Sequence, residues 1–299
     1  MQPLAPIALF VCNRPEHTRL TLESLKRNVH AAESKLYIFS DAARDAGQSA
    51  DVAEVRDIIR SIDGFKDVEL IERETNYGLA NSIIDGVSLL TAKYGKVIVF
   101  EDDLITSPYT LQYFNDALFR YQNEEKVMHI GAYMYPLKNK DLPETFFYRA
   151  ASSWGWATWE RAWKNFEPDI DKLISQFSEE KKHRFSIEGT MNFWKQVMEF
   201  KKGRNNSWAI RWYASVFLND GLTLNPSASL INNIGHDGSG VHSGKNNIYD
   251  VEISKQAVTY FPSDVVENKD AYEAIKHFLR YRKGNLLARA LRFLKEKLS

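Results

Sequence analysis

At 299 residues, the chain can bury a full core, in one large domain or one domain with a substantial lobe. A formal net charge of +0 disfavours a dedicated nucleic-acid binder, which usually carries a basic surplus. The single cysteine, Cys12, excludes an intrachain disulfide framework and fits a reducing, cytoplasmic setting. No apolar run approaches the roughly 18–20 residues of a membrane span, and the first strand starts too early to leave room for a signal peptide.

Ile7 to Cys12 reads as a strand, followed by Leu22, Leu25 and Val29 at helical spacing. Leu36 to Ser40 is a second strand, and Val52, Val55, Ile59 and Ile62 recur at steps of three and four. Val68 to Glu72 is a third, followed by Leu79, Ile83, Val87 and Leu90 on one helical face. Val97 to Phe100 is the fourth and runs straight into Glu101-Asp102-Asp103. This alternation predicts an α/β fold with a mostly parallel sheet covered by helices on both faces. Parallel strands would bring Asn13-Arg14, Asp41, Asn76 with Gly78, and the acidic triplet to one rim. Ligands of open α/β sheets bind at that rim. Three adjacent carboxylates repel unless a cation sits among them, and hard oxygen ligands suit Mg²⁺ or Mn²⁺ held together with substrate phosphates. The duller alternative is an acidic turn capping the helix that starts near Pro108.

The second half breaks the pattern. Val127 to Ala132 and Phe146 to Arg149 read as strands, 171–202 as helical and well charged, and Gly221 to Pro226 as a strand entering a turn. Between these lies Ser152-Ser153-Trp154-Gly155-Trp156-Ala157-Thr158-Trp159, with Trp163 close behind. Gly235 to Gly244 holds four glycines in ten residues and predicts a mobile loop, expected to order over a diphosphate and bring His236 or His242 inward. Tyr77 and Phe114 are assigned to the core, while Trp159 and Trp163 fit core packing and a ligand surface equally well. Residues 276–299 carry many Lys and Arg interleaved with Leu and Phe, the pattern of a basic amphipathic helix for an anionic membrane surface, or of a helix packed on its own domain. The expected units are a Rossmann-like half over 1–145, an acceptor-binding region over 146–262 that completes the site, and a basic helical tail over 263–299.

Cys12-Asn13-Arg14, Asp41, and Glu101-Asp102-Asp103-Leu104 followed by Ser107-Pro108 and Tyr113-Phe114 resemble the eukaryotic N-acetylglucosaminyltransferase I pattern. Asn76-Tyr77-Gly78-Leu79-Ala80-Asn81 resembles that of glycosyltransferase family 2. The resemblance covers roughly residues 5 to 160 and implies a GT-A fold. It also implies a hexosyltransferase-type enzyme that uses Mn²⁺ or Mg²⁺ to move a sugar from a nucleotide diphosphate sugar, UDP-linked, to a glycan acceptor; the basic C-terminal segment would suit a lipid-linked glycan acceptor, as in bacterial-type surface polysaccharide assembly. By that resemblance Arg14 lies near the donor diphosphate and Asn13 beside the nucleoside, while Asp41 hydrogen-bonds the base. Asn76, Gly78 and Asn81 shape the nucleotide pocket. Glu101 faces the donor sugar, Asp102 the ribose or sugar, and Asp103 binds the metal. Apart from the resemblance, His236 or His242 could complete the metal or diphosphate site, because neutral imidazole is a common ligand, or be an ordinary loop histidine. Trp154, Gly155 and Trp156 match a Gly-Trp element near sugar and acceptor. Asp41 could instead cap the turn through Asp45, and Arg14 could pair with a surface carboxylate.

One departure stands out. The family's aspartate base would fall in Ser207-Trp208-Ala209-Ile210-Arg211-Trp212, which holds no carboxylate. Asp237, Glu160 and Glu188 are the available substitutes for a group that must reach the acceptor hydroxyl. Two other classes compete: a nucleotide-sugar-binding module with weak or no catalysis, and a nucleotidyltransferase. The latter needs a Gly-rich basic loop after the first strand, where Asn13-Arg14-Pro15-Glu16 stands instead.

Overall fold

The computed structural model describes residues 3–138, 141–237 and 248–282. Its first half is the predicted alternation: β1 (Ile7–Val11), α1 (Pro15–Lys26), β2 (Lys35–Ser40), α2 (Ser49–Arg60), β3 (Asp67–Glu72), α3 (Leu79–Tyr94) and β4 (Lys96–Glu101). Then follow β5 (Leu104–Thr106), α4 (Thr110–Arg120), β6 (Val127–Gly131), β7 (Thr145–Tyr148), β8 (Trp156–Trp159) and the short α5 (Glu160–Trp163). The chain continues through α6 (Ile170–Ser175), α7 (Glu179–Phe185), α8 (Phe193–Lys201), α9 (Trp208–Leu218), β9 (Leu222–Pro226), β10 (Ile231–Asn233) and α10 (Lys269–Tyr281).

Eight strands form one sheet in the order β3-β2-β1-β4-β8-β6-β9-β7. β1 to β4 are parallel, β8 runs against both β4 and β6, and β9 is parallel to β6. β7 closes the edge antiparallel to β9. The fold class read from the sequence is therefore observed: an α/β protein with a mostly parallel sheet flanked by helices, the arrangement expected of a GT-A type. The sheet is continuous across residue 145, because β7, β8 and β9 all belong to it.

The inner strands β1, β2 and β4 are mostly apolar and buried because both faces are covered, whereas β3 at the edge alternates charged and apolar residues and is half-exposed. Leu9, Ile38, Ile98 and Phe100 pack against Leu22 and Leu25 of α1, Val55 and Ile59 of α2, and Phe114 of α4. On the other face, Phe10, Phe39 and Val99 meet Ile83, Val87 and Leu90 of α3 together with Trp156, Trp163, Trp208 and Trp212. A third cluster, around Tyr148, Phe185, Tyr213 and Ile275, joins the later helices to the sheet margin.

Several readings need correction. β8 was hidden in the Ser152–Trp159 run, where tryptophans suggested a ligand surface. Its alternation instead sends Trp156 to one face and Ala157 and Trp159 to the other. Residues 171–202 are three helices, broken where Ile187, Glu188 and Gly189 take positive φ of 50°, 50° and 76°. Phe114 is buried as expected and Trp159 and Trp163 prove to be core, but Tyr77 is 43% exposed and is not core. The C-terminal helix starts at Lys269, capped by Asn268, within the span expected for the tail. α10 buries Ile275 and Leu279 against the body, and the basic residues from 283 onward lie outside the described residues. Among the described residues no helix is long and apolar enough to cross a membrane.

Candidate active site

The site lies where β1 and β4, neighbours in parallel register, end side by side. After Glu101 the chain turns through Asp102 and Asp103 and leaves as β5. The turn is pinned from α1 by Thr21, whose Oγ1 donates to the Asp102 carbonyl at 2.7 Å and accepts from the Leu104 amide at 3.1 Å. Arg14 reaches across from the end of β1. Its guanidinium ion-pairs with Asp102 and, at 3.0 Å from Nη1 to Oδ2, with Asp103. The sequence expectation that these residues share a rim is met.

A second element was not legible in the sequence. β10 pairs antiparallel with β5 and carries its next residues over the acidic turn as a strap. The Ile234 amide donates to the Asp103 carbonyl at 2.9 Å. Gly235 then lies directly on the Asp103 carboxylate: a Cβ there would collide with Asp103 Oδ2 and come within 3.1 Å of Arg14 Nη1. Any side chain at 235 would push apart the ion pairs beneath. His236 follows, its ring edge-to-face with Trp154 at 5.1 Å. His236 Nε2 is buried with no hydrogen-bond partner among the described residues.

One guanidinium cannot balance three carboxylates. Burial, then Asp103 and Asp102, push the Glu101 carboxyl up to about 8. Burial also pushes Asp102 up, to about 6, although Arg14 works against it. Burial disfavours the charge on Arg14, but Asp102 and Asp103 outweigh this and hold its pKa above the ordinary value. Glu101 therefore keeps its proton near neutrality, which relieves the repulsion. A carboxyl whose folded pKa is raised binds more protons in the folded state, so its contribution falls as pH rises between its ordinary value and about 8. Glu101→Gln cannot ionise. The variant should lose less thermal stability than the wild type between pH 5 and 8, as read by melting curves; parallel curves would refute the assignment.

The donor chemistry fits a hard divalent cation. Two acidic carboxylates and an imidazole nitrogen without a partner among the described residues lie along one strand end and its strap. Among the described residues no group of three His, Cys, Asp or Glu side chains is placed to hold a metal by itself. Substrate oxygens would have to complete the shell, the usual situation for Mg²⁺.

Asp41 has a different role from the one expected. It is 6% exposed, and its Oδ1 accepts from the amides of Ala42 at 2.9 Å and Tyr77 at 2.8 Å. Its Oδ2 accepts from the Gly78 amide at 2.8 Å and from Asn76 Nδ2 at 3.2 Å. A carboxylate offers about four lone-pair positions, so none remains for a base. Asp41 anchors the loop before α3, closer to the turn-capping alternative. Gly78 is needed there because its φ is +73°. Asn76 also donates to the Ala42 carbonyl at 2.7 Å, and Asn81 to the Tyr77 carbonyl at 2.9 Å, so both shape this loop. The exposed Tyr77 ring lies on the Arg73 guanidinium at 4.3 Å. Asn13 is half-buried beside Arg14. Cys12 is half-buried too, and burial together with Asp41 and Asp102 pushes its thiol up to about 11.

The remaining candidates separate. Trp154 stays at the site, against His236 and Tyr133. Gly155 takes φ +64°, and a Cβ there would strike Ile231, so its role is to let β8 pass β10. Trp156 is 0% exposed and stacks on Trp208 and His129, with ring centroids at 5.1 and 5.3 Å; it cannot touch a substrate. Glu160 is at the wrong end of the sheet. β8 is antiparallel to β4, so the Glu160 amide donates to the carbonyl of Gly95, one residue before β4 starts. At about 3.3 Å per residue the length of β4 separates it from the triplet. Glu188 is held by Lys276 and by the Tyr272 hydroxyl. Asp237 ends the turn after His236, but its side chain and His242 lie outside the described residues.

No protein-family model and no curated protein matches the sequence. Among solved structures, residues 1–349 of TarS from S. aureus align over 76% of this chain, with 13% identity and a TM-score of 0.43. This chain spans 59% of the length of that TarS fragment. Mouse xyloside xylosyltransferase 1 in its apo form aligns over 71% of this chain and 80% of its own, with 12% identity and a TM-score of 0.35.

Proposed function

We propose that this chain is a metal-dependent glycosyltransferase that moves a sugar from a nucleotide diphosphate sugar, UDP-linked, to a hydroxyl of a glycan or glycolipid acceptor. The observation that carries the reading is the Arg14–Asp102–Asp103 cluster at the carboxyl edge of the sheet, under the strap from Ile234 to His236. A nucleoside diphosphate leaves only when its charge is neutralised, and a divalent ion bound there supplies several kcal/mol of that neutralisation. Asp103, with His236, would hold the ion. Arg14 can turn from the carboxylates to the diphosphate once they have another partner. Glu101 would face the donor sugar and Asp102 the ribose or sugar, and the loop anchored by Asp41 would border the nucleoside. An anionic membrane met through residues 276–299 would suit a lipid-linked acceptor. The uridine assignment rests on the motif resemblance, since Asp41 has no free lone pair for a base. Calorimetry should give measurable UDP binding with Mn²⁺ and little without it. Tighter binding of GDP would reject the donor assignment.

The absence of a carboxylate at Ala209, together with the distant Glu160, favours a second reading: a module that binds nucleotide sugars without transferring them. Slow metal-dependent hydrolysis of a nucleotide sugar would argue for the enzyme, because it shows that the leaving group is activated.

A further inference from the structure

A cavity of about 300 Å³ opens beside Trp154, bordered by the segment after β6, the segment before β8, and α8 and α9. No residue of β1, β2, β3 or α3 lines it, so it is separate from the nucleotide edge. Trp154 borders both, since its ring also packs on His236 at 5.1 Å. The volume lies at the lower end of the roughly 300–1,000 Å³ of small-molecule pockets.

The chemistry of the wall is specific. None of the described residues lining it carries a charge. Trp154, Tyr133 and Tyr249 supply aromatic surface, with Trp154 edge-on to the other two at 4.5 and 5.9 Å. Ser153, Gln196, Tyr135 and Tyr148 add hydrogen-bonding groups. Tyr148 is 4% exposed. Its hydroxyl and that of Tyr135 make no hydrogen bond among the described residues, and burial keeps both phenols protonated. Both residues line the cavity, so a ligand hydroxyl can exchange hydrogen bonds with them there.

We propose that this cavity is a subsite for one uncharged sugar ring of the acceptor; the proposal rests on the glycosyltransferase reading above. A sugar presents an apolar face to aromatic rings and hydroxyls to the phenols and amide. An alkyl chain would leave those polar groups unpaired. An anionic sugar would give up hydration with no counter-charge in the wall.

Saturation-transfer NMR at millimolar ligand tests this on the full chain. The probes are neutral methyl glycosides of glucose, galactose, xylose and N-acetylglucosamine, with methyl glucuronide and glucose 6-phosphate as charged counterparts. At least one neutral glycoside should bind, at least tenfold more strongly than either charged sugar. Tyr135→Phe should weaken it about tenfold, and Ala209→Trp, which fills the cavity, should abolish it. UDP–Mn²⁺ binding should be unchanged in both variants, which also shows that they fold. Equal binding of charged sugars, no binding of any neutral glycoside, or binding that survives both variants overturns the proposal. If sugars bind as stated but UDP does not bind the wild type, the donor reading falls and the subsite stands.

Discussion

Asp103→Ala is expected to lower sugar transfer at least ~100-fold, in line with the several kcal/mol that a bound cation supplies to a departing diphosphate. Excess chelator on the wild type should match it. The fold should survive. Asp103 is an acidic turn residue whose backbone contacts, the strap amide of Ile234 and the β5 ladder, do not depend on its side chain. Arg14 keeps Asp102 as a partner, and one negative charge is removed from a crowded cluster. Melting within a few degrees of the wild type, with metal-dependent UDP binding lost, is therefore the expected pair of results. Full transfer in excess chelator, or in the variant, would end the metal assignment.

Asp41→Ala should act through the backbone. It removes the acceptor of the Ala42, Tyr77 and Gly78 amides and of Asn76. Unpaired buried donors cost roughly 1–3 kcal/mol each, and with solvent reaching the exposed loop the total should be about 2–4 kcal/mol. Chemical denaturation reads this directly. UDP affinity should fall at least tenfold because the loop before α3 loses its anchor. Asp41→Asn, which keeps one oxygen acceptor, should fall between the two. Unchanged stability in Asp41→Ala would refute the anchoring role. A loss of affinity without a loss of stability would return Asp41 to direct contact with the ligand.

Local pattern was sufficient for the first half of the chain. Apolar strands alternating with helices of period near 3.6 can be covered in few ways, and the right-handed crossover rule aligns their carboxyl ends. Arg14, Asp41 and the triplet were therefore placed on one rim from the sequence. What each does there was decided by contacts between residues distant in the chain. Asp41 looks like a ligand contact until its lone pairs are counted, and their donors come from residues 76–78. Trp156 and Trp154 are two residues apart in a Trp-rich run, yet one is sealed in the core and the other borders the site. Glu160 was available as a base candidate only while β8 was unrecognised as an antiparallel strand.

Gly235 carried one signal in the sequence, a glycine opening a loop, but the reason for it lies 132 residues earlier in the Asp103 carboxylate beneath it. The sequence by itself determined the first four strands, their parallel direction and the residues at their carboxyl edge, because those depend on local periodicity and burial. The strap over the acidic turn, the anchored loop and the uncharged cavity depend on long-range pairing and packing, and only the tertiary structure decided them.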